Sequence, residues 1–191
     1  MVFSDDVISS LESGSLVVLP TDTLYGIVCS AHDKQAVEKL YRVRGRDVTK
    51  PCIILIADSS ELKEFGIVLS DIDEQTLHQH WPGKVSVIFD CLGEKWQYLH
   101  RGTESLAFRV PDNEELRTLL RTTGPLLAPS ANVQGGEPAH TLEEAKGYFG
   151  TEVAFYVDGG SLESLPSTVA RLQNGVWETL REGAVTLTSE L

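Results

Sequence analysis

The stretch LVVLPTDTLYG at residues 16–26 begins as an apolar run and continues as a group of threonines around one aspartate. The run Leu16–Pro20 has the length and continuous apolarity of a buried strand, and its proline ends the strand. Hydroxyl groups directly beyond a buried strand lie where α/β proteins bind ligands. The same residues also suit a turn whose hydroxyls satisfy only local backbone groups. Spacing alone leaves both interpretations open.

Helical patterns with recognisable ends follow this stretch. Asp33 is a candidate N-cap for a helix with an apolar face at residues 36, 37, 40 and 41, and Gly45 suits its end. Ser70 is expected to open a helix towards Trp81, and a proline and a glycine stop it. Capping-box spacing predicts two more helix starts, Asp112 with Glu115 and Thr141 with Glu144.

Short apolar runs between the helices predict strands. They occupy residues 52–57, 85–89, 106–110, 126–128, 154–158, 167–170 and 176–180. Asn174-Gly175 is a strong hairpin signal between the last two. Helices interspersed with strands, with a hairpin at the C-terminal end, favour an α/β fold with a mixed sheet.

Length and composition are typical of one domain over residues 1–191. The hydrophobic fraction of 41% supplies a core. No apolar run reaches the roughly 18 residues of a membrane helix, and the N-terminus lacks signal-peptide features, so we expect a cytoplasmic protein without membrane association. Cys29, Cys52 and Cys91 are scattered without a CxxC pair, which predicts buried reduced thiols and no protein-bound metal.

The charge distribution points to a small anionic ligand. The formal net charge is −12, which disfavours a general nucleic-acid-coating role. Arg42, Arg44, Arg46 and Lys50 nevertheless fall within nine positions. The end of a helix explains the first two, because cations complement the helix dipole. It does not explain Arg46 and Lys50, which suit a triphosphate.

A second polar group follows the short run at residues 126–128. Ser130 and Asn132 are two positions apart, so in extended geometry they share a face and offer a hydroxyl and an amide. An SxN pair in a loop is also common turn chemistry. The chain has neither GxxxxGK[ST] nor GxGxxG, so phosphate binding has to rest on side-chain cations and hydroxyls.

Six motifs occur in one order: PTDTLYG, RGRDVTKP, LAFRVP, APSAN, DGG with PST, and LREGA. In order and spacing they resemble the YrdC family of threonylcarbamoyl-AMP synthases, over residues 16–183. The family's typical tetrad is Lys-x-Arg with Ser-x-Asn. Here Arg44 stands at the lysine position, while Arg46, Ser130 and Asn132 match. Leu55 stands where longer members carry a histidine, and the chain resembles the short form of the family.

The resemblance implies a twisted mixed sheet with flanking helices around a concave basic cleft. It implies synthesis of threonylcarbamoyl-AMP and pyrophosphate from ATP, L-threonine and bicarbonate, with Mg²⁺ carried by the nucleotide. The product would pass to a tRNA threonylcarbamoyl transferase complex. Catalytic residues would be Arg44, Arg46, Lys50, Ser130 and Asn132. ATP would contact Arg46, Lys50, Ser105, Ser130 and Arg181, and threonine would contact Thr23, Arg109, Ala128 and Ser167.

Arg109 is the implied ligand residue with the clearest structural alternative. It lies inside the apolar strand LAFRV, where a cation needs either a protein ion-pair partner or a ligand carboxylate. Alternation places it on the face opposite Phe108 and Val110. The motif match favours the carboxylate of threonine.

Two other functions stay open at this point. One is an RNA-binding module, which the acidic balance and the lack of aromatics within the basic stretch disfavour. The other is a family relative with a different acceptor.

Overall fold

A computed structural model describes residues 3–188. Within these residues, nine strands form one sheet in the order β7-β1-β2-β6-β3-β5-β4-β8-β9. The strands are β1 Val17–Pro20, β2 Tyr25–Ser30, β3 Ile53–Leu55, β4 Val85–Asp90, β5 Ser105–Arg109, β6 Leu126–Leu127, β7 Phe155–Tyr156, β8 Thr168–Gln173 and β9 Val176–Arg181. The pairs β7–β1, β3–β5 and β4–β8 are parallel and the others antiparallel, so the predicted mixed sheet is confirmed.

Six α-helices in the described part of the chain flank the sheet. They are α1 Asp5–Glu12, α2 Lys34–Arg44, α3 Asp71–His78, α4 Gln97–His100, α5 Glu114–Thr123 and α6 Leu142–Phe149. Short 3-10 helices occupy Ser59–Phe65, Glu94–Trp96 and Gly150–Glu152. The helix expected between Ser70 and Trp81 is present as α3 and ends earlier, at His78.

The core lies on both faces of the sheet because successive side chains of a strand point to opposite sides. Val17 and Leu19 pack in one cluster with α1 and α5. Leu16 and Val18 pack in the other cluster, with α2, α3 and α6. Full burial of one such side chain stabilises the fold by about 1.5–3 kcal/mol. The helices therefore enclose the sheet from both sides.

The predicted start and end of α2 and the predicted start of α6 are confirmed. The Asp33 carboxylate accepts hydrogen bonds from the first turn of α2, and Gly45 ends the helix at a φ of 58°. Thr141 and Glu144 form the expected capping box of α6.

The predicted capping box of α5 is wrong by one residue. The side chain of Asn113 caps this helix by accepting a hydrogen bond from the Leu116 amide at 2.9 Å. Asp112 lies outside the helix because its amide donates to Asp22 Oδ2 at 3.0 Å. A long-range contact thus sets the start of α5, and either Asp or Asn satisfies the local capping preference.

The strand β2 is a feature that the sequence pattern did not predict. It pairs with β1 in an antiparallel hairpin that aligns Pro20 with Tyr25, so the threonines occupy a tight turn. Its residues are almost continuously buried, including Gly26, and therefore show no alternation to mark a strand. The remaining predicted strands are present, with ends shifted by up to three residues.

The C-terminal hairpin is confirmed. Asn174 and Gly175 have φ values of 52° and 76°, as the turn between β8 and β9 requires. A register shift between Val169 and Ala170 interrupts the ladder near the far end of β9. The three cysteines are buried free thiols, as expected.

Candidate active site

Two adjoining cavities open beside the turn between β1 and β2. The smaller has a volume of about 180 Å³ and the larger about 300 Å³. Ile53, Pro129, Ser130 and Arg181 contribute to the walls of both. The SxN loop reaches this position because the Gly26 and Ser130 backbones form a β-bridge, which fastens the loop to β2.

The turn supplies the threonine hydroxyls of the smaller cavity. Thr21 Oγ1 accepts from the amides of Thr23 and Leu24 and donates to the Leu24 carbonyl at 2.7 Å, so it closes the turn. Thr23 lines the cavity, and its hydroxyl lies 3.0 Å from that of Thr21. Thr21 therefore satisfies the backbone of the turn, yet both Thr21 and Thr23 line the smaller cavity, so the turn and the cavity wall share these residues.

Arg109 reaches the smaller cavity from the end of β5. Its side chain is only 5% exposed and forms an ion pair with Asp22. Nη2 lies 3.5 Å from the Thr23 hydroxyl, and Nε has no hydrogen-bond partner within residues 3–188. The predicted placement opposite Phe108 and Val110 is confirmed, since both of those side chains lie in the core. Arg109 thus forms a structural ion pair and lines the smaller cavity at the same time.

Ser167 and Arg181 form the opposite wall. Ser167 lies just before β8, and its hydroxyl lies 2.8 Å from that of the fully buried Ser86. Arg181, at the end of β9, donates from Nη2 to the Ser167 carbonyl at 2.6 Å. Burial lowers the pKa of Arg181. The guanidinium is therefore held where both cavities meet.

The larger cavity has an apolar floor and a polar rim. Its floor consists of side chains from neighbouring strands, namely Ile53, Ile88, Leu106, Ala107 and Val169. Ser105, Thr103 and Arg46 stand at the rim. Arg46 donates from Nε to the Lys50 carbonyl at 3.1 Å and from Nη2 to the Pro51 carbonyl at 2.9 Å. Backbone carbonyls of its own loop thus fix the direction of this guanidinium.

The charged side chains that line the two cavities are arginines, and one of them, Arg109, is paired with Asp22, which lines neither cavity. Among residues 3–188, their walls carry the guanidinium groups of Arg46, Arg109 and Arg181 and no carboxylate or imidazole. This concentration of positive charge occurs in a chain with a net charge of −12. A concave surface of one sign focuses its field and favours ligands of the opposite sign.

Three of the residues expected in the site do not line either cavity. Lys50 has a side chain 66% exposed, and its ammonium lies 3.7 Å from the Asp47 carboxylate. Arg44 and Asn132 are buried behind the wall, at 2% and 7% exposure. Thr23, Arg46, Ser105, Arg109, Ala128, Ser130, Ser167 and Arg181 do line the cavities. Their contacts with ligands stay predictions.

Arg44 contacts Asn132 twice. Its Nε donates to the Asn132 carbonyl at 2.8 Å and its Nη2 to Asn132 Oδ1 at 3.0 Å. Desolvation by burial lowers the pKa of Arg44 to about 10, so the side chain remains charged at neutral pH. The Ser130 hydroxyl donates to the same Oδ1 at 2.6 Å. The buried Arg44–Asn132 pair thus holds the Ser130 side chain in position through a hydrogen bond.

Two contributors were absent from the sequence-based set. Asp22 pairs with Arg109, and Ser86 touches Ser167. A usable signal existed for each: Asp22 is the single carboxylate between two threonines, and Ser86 is a hydroxyl inside the apolar strand VSVIF. A hydroxyl buried in a strand needs a partner, and that requirement points to a polar neighbour.

Residues 3–188 contain no group of three or more histidine, cysteine or acidic side chains arranged to hold a metal ion. None of the helices in these residues combines the length and apolarity that crossing a bilayer requires.

These features define a class of protein: a mixed α/β fold with a cationic double cavity formed by a hairpin turn, an SxN loop and strand ends. The sequence model of the Sua5/YciO/YrdC family, described as telomere recombination, matches residues 9–183. The chain belongs to this family.

Two relatives that are named threonylcarbamoyl-AMP synthase align with most of this chain. The threonylcarbamoyl-AMP synthase of Bacillus subtilis strain 168 is 31% identical over 179 residues, which are 92% of this chain and 52% of that protein. The threonylcarbamoyl-AMP synthase of Chromohalobacter salexigens is 30% identical over 177 residues, 92% of this chain and 95% of that protein. This chain is therefore similar in extent to the second relative and spans about half of the first.

The chain shares its fold with a protein whose structure has been solved with L-threonine bound. The structure of P. abyssi Sua5 complexed with L-threonine superposes with a TM-score of 0.85 at 27% identity, over 93% of this chain and 53% of that one. The predicted family fold, a twisted mixed sheet with flanking helices, is thereby confirmed.

Proposed function

We propose that the chain is a threonylcarbamoyl-AMP synthase, a nucleotidyltransferase that joins L-threonine, bicarbonate and ATP. The observation that carries this proposal is the pair of adjoining cavities, which share Ser130 and Arg181 and carry arginine as their only charge among residues 3–188. Two linked anion sites are what a reaction between an amino-acid carbamate and a nucleotide needs. The similarity to named synthases and to a threonine-bound Sua5 supports this assignment.

The smaller cavity suits L-threonine. Its volume of about 180 Å³ matches a small amino acid. Arg109 would bind the carboxylate, and its ion pair with Asp22 holds the guanidinium in place before the ligand arrives. Thr23, Ala128 and Ser167 surround the space where the side chain of the amino acid would lie.

The larger cavity suits ATP, which brings Mg²⁺ with it as part of the substrate. The apolar floor offers a surface for the base, and Ser105 offers a hydroxyl at its edge. Arg46 and Arg181 would bind the phosphates. Lys50 extends from the same loop as Arg46, and its flexible, exposed side chain would leave Asp47 for the stronger charge of the triphosphate.

The reaction requires the protein mainly to position the substrates and to neutralise charge. The threonine amine and bicarbonate give a carbamate and water, and a carbamate oxygen then attacks the α-phosphate while pyrophosphate leaves. Positioning and electrostatic stabilisation dominate such phosphoryl and nucleotidyl transfers. Arg181, at the junction of the cavities, would neutralise charge on the attacked phosphate, and Arg46 with Lys50 would stabilise the leaving pyrophosphate. The Arg44–Asn132 pair would keep Ser130 at the junction.

The product would be consumed by a transferase that places the threonylcarbamoyl group on adenosine in tRNA. Direct RNA binding by this chain is a weaker alternative, because the charge of −12 opposes long-range attraction to a polyanion.

The test is to incubate the purified chain with ATP, L-threonine and ¹³C-bicarbonate and to analyse the product by mass spectrometry. We expect threonylcarbamoyl-AMP carrying the label, and pyrophosphate release that requires both L-threonine and bicarbonate. Release that persists when either is omitted would contradict the proposal. Salt-dependent RNA binding without turnover would favour the RNA-binding module, and labelled adenylate with another amino acid only would favour a relative with a different acceptor.

A further inference from the structure

One backbone carbonyl joins the guanidinium of Arg46 to the core of the protein. The Lys50 carbonyl accepts a hydrogen bond from Arg46 Nε at 3.1 Å and a second one from the Tyr41 hydroxyl at 2.9 Å. Arg46 Nη2 donates to the next carbonyl, that of Pro51, at 2.9 Å. Two nitrogens of the guanidinium are thus anchored, which fixes its plane, and Nη1 makes no hydrogen bond within residues 3–188. The anchored group therefore keeps a donor for a ligand at the rim of the larger cavity.

Tyr41 is a firmly held donor to this carbonyl. The residue is 2% exposed and lies in α2. Cζ of Arg101 lies 4.0 Å from the centre of its ring, and Arg101 pairs with Glu38 on the same helix. Burial raises the pKa of Tyr41, so the hydroxyl keeps its proton at neutral pH and donates it to the Lys50 carbonyl. The helix and Arg101 thus hold the tyrosine, and the tyrosine holds the loop.

The loop that carries Arg46 is exposed or half-buried over residues 46–50. Contacts with other segments hold its beginning, where the Arg46 amide donates to the Tyr41 carbonyl at 3.0 Å and the Asp47 amide donates to the Gln134 side chain. At its end, the Tyr41 hydroxyl fastens the Lys50 carbonyl. Exposed segments with few buried contacts open easily, so this hydrogen bond limits the motion of the carbonyl to which Arg46 is anchored.

We infer that Tyr41 is a positioning residue for the nucleotide: its hydroxyl fixes the Lys50 carbonyl, which aims Arg46 at the β- and γ-phosphates. The constraint on the Lys50 ammonium is weaker, since this group ends a flexible and exposed side chain. Holding a guanidinium in place beforehand reduces the conformational entropy that is lost when the phosphates bind. Tyr41 lines neither cavity, so its contribution passes through Arg46. This inference rests on the proposed function, because it takes ATP as the ligand of the larger cavity.

Calorimetry with ATP and AMP, each titrated separately, tests the inference on the variant Tyr41→Phe. This variant keeps the ring that Arg101 covers and loses only the hydroxyl. AMP keeps the base, the ribose and the α-phosphate, and it lacks the phosphates assigned to Arg46. We expect ATP binding to weaken about three- to tenfold, the range for one lost hydrogen bond, and AMP binding to change less than twofold. A purely structural role would weaken both nucleotides alike.

Tyr98→Phe is the matched control. The Tyr98 hydroxyl donates to the Ala31 carbonyl at 2.8 Å, and Tyr98 lines neither cavity. The control should lose a comparable amount of stability in thermal unfolding and keep both nucleotide affinities. A double variant tests whether Tyr41 acts through Arg46. Arg46→Ala alone should lower the preference for ATP over AMP, and adding Tyr41→Phe should change the remaining preference less than twofold.

Equal weakening of ATP and AMP in Tyr41→Phe would overturn the inference, as would an unchanged preference or a full additional loss in the double variant. Failure of Tyr41→Phe to fold, when Tyr98→Phe folds, would identify the hydroxyl as a structural group and would also overturn it. A wild-type chain that binds ATP yet forms no threonylcarbamoyl-AMP would contradict the proposed function only. An active Tyr41→Phe variant with unchanged preference for ATP would contradict this inference only, and a wild-type chain that does not bind ATP would contradict both.

Discussion

Asp22 and Arg109 form a buried ion pair that joins the turn between β1 and β2 to the end of β5, with side chains 4% and 5% exposed. Asp22 also accepts from the Asp112 amide at 3.0 Å. One carboxylate thus orients the guanidinium in the cavity and fixes the backbone just before α5. Breaking such a pair leaves an uncompensated buried charge, so the pair stabilises the fold, and we expect it also to hold Arg109 ready for a ligand carboxylate.

Arg109→Lys should separate these two effects. The lysine keeps a positive charge opposite Asp22, so we expect the fold and most of the ATP affinity to remain. One ammonium group cannot contact Asp22 and a ligand carboxylate with the fork that Arg109 offers. L-Threonine affinity should therefore fall by about ten- to a hundredfold, the range for losing a charge-assisted hydrogen bond. Calorimetric titrations of ATP and threonine measure both affinities.

Arg117→Lys is the matched control, because Arg117 pairs with Glu114 on α5 and lines neither cavity. Unchanged threonine binding in Arg109→Lys, or a collapse of the fold with loss of both ligands, would identify Arg109 as a purely structural ion-pair residue.

Arg46→Ala should weaken ATP binding and slow turnover without unfolding the protein. Within residues 3–188 its guanidinium donates hydrogen bonds only to carbonyls of its own loop, so its removal disrupts little else. Losing a cation that stabilises the transferred or leaving phosphates costs about 2–4 kcal/mol of transition-state stabilisation, or roughly 30- to 1,000-fold in kcat/KM. Steady-state kinetics and thermal unfolding measure the two properties. Arg42→Ala, at an exposed position outside the cavities, should retain wild-type values.

Lys50→Ala should change the stability of the unliganded protein less than Arg46→Ala does. It should slow turnover by a comparable factor. The exposed ammonium stabilises the free protein little, since solvent screens its contact with Asp47. Its contribution is expected only after the triphosphate is bound. A wild-type rate and wild-type ATP affinity in Lys50→Ala would remove this residue from the site.

Local sequence signals predicted those parts of the fold that local interactions determine. Asp33, Thr141 and the Asn174-Gly175 pair act within a few residues, and the structure uses each of them as expected. The strand β2 escaped prediction because its continuous burial comes from neighbours distant in sequence. The start of α5 was misplaced by one residue because Asp22, ninety residues earlier, binds Asp112.

The same distinction between local and long-range interactions explains which features of the candidate site the sequence predicted. Motif order identified the residues of the cavity walls, such as Arg46, Arg109 and Arg181. It could not reveal that Arg44 is buried against Asn132, because that contact joins residues 88 positions apart. Charge and spacing show which residue types are present, and only the packing shows which of their hydrogen bonds are already used.

Stability should fall at alkaline pH. Desolvation raises the pKa of the buried thiols Cys29 and Cys52 above the ordinary thiol value. A raised pKa in the folded state means that the unfolded chain loses these protons first, so stability is complete at neutral pH and is lost as pH rises above about 8.5. Each thiol contributes up to about 1.4 kcal/mol per pH unit. Urea unfolding at several pH values should show this slope, and Cys29→Ala should reduce it; an identical slope in that variant would contradict the assignment.

Gly183 lies where a side chain would strike the wall of the smaller cavity. A Cβ atom at this position would lie 2.4 Å from the Pro166 carbonyl oxygen, 2.5 Å from the Thr168 nitrogen and 2.6 Å from the Ser167 carbonyl carbon. All three are backbone atoms, so Gly183→Ala must displace the segment that carries Ser167. That segment also accepts the hydrogen bond of Arg181, which lines both cavities.

We therefore expect Gly183→Ala to lower the free energy of unfolding by about 1–3 kcal/mol, the usual effect of overpacking. The variant should bind both L-threonine and ATP more weakly, because the displaced backbone holds residues of both cavities. Gly147→Ala is the matched control: it lies within α6 with open space around its Cβ position, so alanine should raise stability by about 0.5–1 kcal/mol and leave both affinities unchanged. Urea unfolding and calorimetry on the two variants decide the matter. If Gly183→Ala lowered stability while both ligands bound as in the wild type, the backbone around Ser167 would have no part in either site.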